Sequence, residues 1–102
     1  MDATLTEIDL LLTRIERLAH ELQADPDGHV RRSATELRVT FDARGAVEPA
    51  VARLRDSLVM LRRGNRDGSR RKFQQRAHGV DHLEQVLEYE LLPTLRRLGF
   101  DV

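Results

Sequence analysis

A chain of 102 residues, 40% apolar and 33% charged with no net charge, has room for one domain with a modest core and is too short for two. It has no Cys and no Trp, three Phe and one Tyr, which excludes a disulfide framework and thiolate chemistry and leaves an aliphatic core. No apolar run reaches the ~20 residues that span a bilayer, and the start "MDATLTEIDLLL" lacks the basic region of a signal peptide, so no membrane role and a cytoplasmic location are expected.

The first predicted element covers residues 4–24. Thr4-Leu5-Thr6-Glu7 fits a capping box. Leu5, Ile8, Leu12, Ile15, Ala19 and Leu22 then recur at steps of three and four, which is one face of an α-helix. Asp25-Pro26-Asp27-Gly28 stops it. A second helix is expected over 27–44, with Asp25 as its cap and Pro26 at its start. Its stripe is Val30, Ala34, Leu37 and Phe41. Leu37, Val39 and Phe41 also alternate like a strand, but a lone strand has no partner elsewhere in the chain, so helix is the reading for 36–42. Gly45 is the expected stop.

The third helix, 47–63, carries Val47, Val51, Leu54, Leu58 and Leu61, with Pro49 in the first turn, where a missing N–H costs little. The fourth, 69–98, carries Phe73, Ala77, Val80, Leu83, Leu87, Leu91, Leu95 and Leu98, and ends at Gly99. Pro93 removes a backbone donor, so this helix is expected to kink or split there. Short connections make consecutive helices antiparallel neighbours. The expected fold is therefore all-α, a single antiparallel up-down four-helix bundle.

Neutrality hides a pattern. Residues 1–25 hold six acids against two arginines, residues 79–102 five acids against two arginines, and "RRGNRDGSRRKFQQR" at 62–76 seven basic residues against one Asp. Sixteen of the seventeen basic residues are Arg, a bias that GC-rich, bacterial-like coding produces. Arg62, Arg63, Arg66, Arg70, Arg71, Lys72 and Arg76 are the candidate basic patch, suited to an acidic protein or to nucleic-acid backbone. The segment offers one aromatic, Phe73, so no base-stacking platform is expected.

No residue set in the chain reads as catalytic. His78 and His82 are spaced one helical turn apart with Asp81 and Glu84 nearby, yet His82 is at the margin of the apolar stripe and His78 lies off it. Glu16 and His20 have the same spacing, outside the stripe of the first helix. "LEYELLPTL" at 87–95, with Glu84 before it, resembles the Glu-rich, Pro-containing helix of hemerythrin-like di-iron bundles. Glu84 stands where that family places a histidine, so no ligand is carried over. Neither cofactor, metal nor small-molecule substrate is expected.

Apolar residues exceed what a bundle of this size needs, about three per heptad. Leu10 to Leu12, Leu58 to Leu61, Val86 with Leu87 and Leu91 with Leu92 are consecutive. The surplus predicts a covered surface, with Leu10, Leu11, Leu91 and Leu92 as the partner-binding residues. The expected function is a non-enzymatic helical protein–protein interaction module, an accessory subunit, adaptor or antitoxin-like partner, or a homo-oligomer. The alternative is a nucleic-acid accessory protein gripping phosphates through 62–76.

Overall fold

In the computed structural model, which describes residues 3–22, 25, 27–64 and 79–102, four helices pack side by side and no strand occurs among the described residues. They are α1 (Ala3–Glu21), α2 (His29–Asp42), α3 (Val47–Gly64) and α4, described over 79–97. The described part of α4 is α-helical over 79–85, π-helical over Val86–Leu91 and α-helical again over Leu92–Arg97. Residues 36–42 are helical to Asp42. The expected beginning of the fourth helix, with Phe73, lies outside the described residues.

The direction of the helices is written in their polar cross-links. Ser33 Oγ lies 2.9 Å from Ser57 Oγ, and Glu36 pairs with Arg53. Arg55 pairs with Glu88, and Arg62 with Asp81 and Glu84. Arg14 pairs with Glu90, and Glu7 with Arg97. At each of these three interfaces one residue number rises as the other falls, so the neighbours are antiparallel. Arg38 closes the remaining interface by reaching from α2 to Asp9, Thr13 and Glu16 on α1. These links set register; the stabilisation comes from a continuous aliphatic core. Ile8, Leu12 and Ile15 of α1, Val30 and Leu37 of α2, Leu54 and Leu58 of α3, and Leu83, Leu87, Leu91, Leu92 and Leu95 of α4 are all buried in it. A buried Leu or Ile contributes about 1.5–3 kcal/mol over an exposed one. α4 meets the end of α1 at Gly79, where a Cβ would stand 2.8 Å from Leu22 Cδ1 and the leucine side chain would have to shift.

The π turn has a cause in the sequence. In a regular α-helix the ring of Pro93 would clash with the carbonyl four residues back, that of Tyr89. The wider turn removes that clash, and the Leu92 N–H donates to Leu87 O, five residues back. Side chains five apart then share a face. Val86 with Leu91, and Leu87 with Leu92, all enter the core. The expected break at Pro93 is thus a change of helix type just before it.

The ends of the helices differ in detail from the sequence reading. α1 is described from Ala3, which places Thr4 within the helix. Asp25 does cap α2, through a loop: its carboxylate accepts from Val30 N (3.3 Å) and Arg31 N (3.1 Å), and the residue flanking the helix is Gly28 in left-handed conformation (φ 68°). α2 ends in a Schellman motif, with Arg44 N donating to Phe41 O (3.0 Å) and Gly45 N to Thr40 O (2.8 Å). The left-handed position is Arg44 (φ 57°), one residue before the glycine expected to supply it. α4 ends in the same motif with Gly99 (φ 99°) in that position. The two ends meet where Phe41 and Phe100 pack with ring centroids 6.4 Å apart.

Candidate interaction surface

The structure separates the apolar residues singled out above. Leu10 is 65% exposed on α1, whereas Leu11, Leu91 and Leu92 are core residues. The correction follows from the π turn for Leu91 and Leu92. Its five-residue repeat turns both toward the core, where an α-helix would turn only one. Leu11 lies beside Leu12 and Ile15 on the broad inner face of α1.

The surplus emerges elsewhere, on the exposed faces of α3 and α4. Val59 is 44% exposed, Met60 68% and Tyr89 79%. Val59 and Tyr89 face one another across a groove of about 470 Å³ floored by Leu58. Arg55 and Glu88 form its base as a two-pronged pair: Arg55 Nε and Nη2 donate to the two carboxylate oxygens at 2.6 Å each. The bonds from Arg55 hold the Glu88 carboxyl below its ordinary value, and Glu88 in turn raises Arg55, so the pair stays ionised. Beyond it, Arg62 donates to Asp81 (2.5 Å) and Glu84 (2.8 Å). A second hollow, about 500 Å³, opens at the end of the bundle between Leu5, Phe41, Leu98 and Phe100, with Asp42 and Arg44 on its wall.

Of the basic candidates, Arg62 is thus committed to α4 of its own chain. Arg63 is exposed and has no ion pair among the described residues. Arg66, Arg70, Arg71, Lys72 and Arg76 lie outside the described residues, as does His78. His82 is exposed, and no three His, Asp or Glu side chains converge as metal ligands among the described residues. On α1 and α2, burial lowers the Arg38 guanidinium, but Asp9 and Glu16 outweigh it and leave Arg38 raised. No described helix is long and apolar enough to cross a membrane.

Sequence reasoning passed over Val59, Met60 and Tyr89 as a group. The adjacent pair Val59-Met60 was visible as surplus on a helix whose core stripe was already complete. Tyr89 lies about 200° around the helix from Leu87, opposite the stripe of Val80, Leu83 and Leu87, so its exposure follows from the helical period alone. No protein family, curated protein or solved structure matches the chain.

Proposed function

We propose that the chain is a non-enzymatic helical module that works by binding another protein chain, as an accessory subunit, adaptor or antitoxin-like partner. The observation that carries this reading is the exposure of Val59 and Tyr89 on the two sides of the groove between α3 and α4, with Met60 exposed on the outer face of α3. Tyr and Arg around a groove of mixed polar and apolar lining are residue types enriched at binding hot spots, and the ionised Arg55–Glu88 pair gives the groove a fixed polar base.

Arg38, Arg55 and Glu88 are all driven further toward their charged forms by opposite charges, so these pairs present fixed charges to a partner.

The test is a Val59→Glu/Tyr89→Ala variant compared with the wild type by capture from extract of the native host and by sedimentation. The wild type is expected to recover a protein, or to self-associate, and the variant to lose that association with helix content unchanged. A wild type that stays monomeric at submillimolar concentration and recovers nothing the variant lacks would refute the reading.

A further inference from the structure

We infer that the outer face of α3 docks a second copy of this chain, antiparallel and across a two-fold axis. This rests on the reading of the chain as an interaction module and names its partner. Asp56, Val59, Met60 and Arg63 form that face, opposite the core positions Ala50, Leu54 and Leu58. At about 100° per residue, Asp56 and Arg63 fall within roughly 20° of one another, about 10 Å apart along the helix, with Val59 and Met60 flanking their line.

Both charges are exposed, and neither has an ion pair among the described residues. On α1, Leu10 stands between Glu7 and Arg14, which are already bound to Arg97 and Glu90. On α2, the exposed Val39 lies one residue from Arg38, whose donors are taken by Asp9, Thr13 and Glu16.

The order of charges selects the geometry. A two-fold axis passing between residues 59 and 60, perpendicular to α3, brings Asp56 of each copy opposite Arg63 of the other. Val59 and Met60 then each meet their own counterparts at the axis. This is a closed, self-complementary contact. A parallel pairing would set Asp56 against Asp56 and Arg63 against Arg63, and like charges at an interface oppose it. Tyr89 borders the contact on the Val59 side.

Sedimentation equilibrium on the full chain tests this, at micromolar to submillimolar concentration and at ~0.05 and ~0.5 M salt. The wild type should dimerise, more weakly at high salt. Asp56→Arg and Arg63→Asp should each weaken self-association about tenfold, since each turns two attractive pairs into two repulsive ones. An equimolar mixture of the two variants should associate about as well as the wild type, because both cross-pairs re-form. The Asp56→Arg/Arg63→Asp double variant should recover as well. If a reversal lowers the helix content, Asp56→Asn and Arg63→Gln should give the same ordering with losses of about threefold. A monomeric wild type, a dimer that ignores both reversals, or a mixture no better than its components would each overturn the inference. A monomer that still captures a host protein through Val59 and Tyr89 overturns it too, and leaves the broader reading standing.

Discussion

Replacing Arg44 by Gly should make this protein more stable, although it deletes a charged side chain and adds no contact. Arg44 holds φ 57° at the end of α2. A left-handed backbone costs an L-residue with a Cβ roughly 1–2 kcal/mol. Glycine escapes that cost but loses about 0.5–1 kcal/mol more than other residues on ordering. The difference leaves a gain of about 0.5–1 kcal/mol. The two Schellman bonds, Arg44 N to Phe41 O and Gly45 N to Thr40 O, are backbone bonds and survive the change. The Arg44 guanidinium has no ion pair among the described residues to lose. For a chain of this size, the gain corresponds to a rise of roughly 2–6 °C in Tm, read by circular dichroism or calorimetry. Gly99→Ala, at the equivalent position of α4 (φ 99°), is the reciprocal change, and should destabilise by about 1 kcal/mol. An Arg44→Gly variant that melts at or below the wild-type temperature, beside a Gly99→Ala variant that does not fall, would refute the assignment of the left-handed position.

Leu92→Ala should cost about 2–5 kcal/mol in urea unfolding, while Leu10→Ala should stay within about 0.5 kcal/mol; equal costs would show that the π turn does not bring Leu92 into the core. The lowered carboxyl of Glu88 makes a stability contribution that is complete above its ordinary value of 4.5 and is lost as pH falls through the lower folded value. Glu88→Gln should therefore cost about 1 kcal/mol at neutral pH, and the gap to the wild type should narrow below pH 4.5 in acid titrations of stability. For the basic segment 62–76, binding to nucleic acid at ~0.15 M salt is expected to be weak, and Arg70→Gln/Arg71→Gln should lower the salt slope of any low-salt binding by about two. Tight, sequence-indifferent binding at that salt would put the phosphate-backbone reading first.

The three-and-four spacing of apolar residues made α1 and α3 legible, because a helix face repeats in that way whatever packs against it. The strand-like alternation at Leu37, Val39 and Phe41 was resolved by a global argument, and Val39 proves to be an exposed helical residue beside the stripe. The Leu91-Leu92 pair was assigned to the surface because about three apolar positions per heptad were held to fill the core, although Leu91 also continued the stripe. The informative signal was the repeat of five between the pairs Val86-Leu87 and Leu91-Leu92, immediately before that proline. Gly45 pointed to the right turn one residue too late, since Arg44 accepts the unfavourable backbone conformation. The interaction surface was the least legible part. Outward-facing residues have no periodic signature of their own, and the partners of Arg55 and Arg62 on α4 are distant in sequence.

With no Trp in the chain, Tyr89 is its only strong near-ultraviolet chromophore, and it stands 79% exposed, away from the core. The intrinsic fluorescence of this protein is therefore nearly blind to burial on folding. It reports instead on what covers the groove between α3 and α4. Emission from Tyr89 should change little through chemical unfolding, yet shift in intensity and anisotropy when a partner or a second copy arrives. The protein thus contains a native optical label on its candidate docking face, and association can be titrated without attaching a dye.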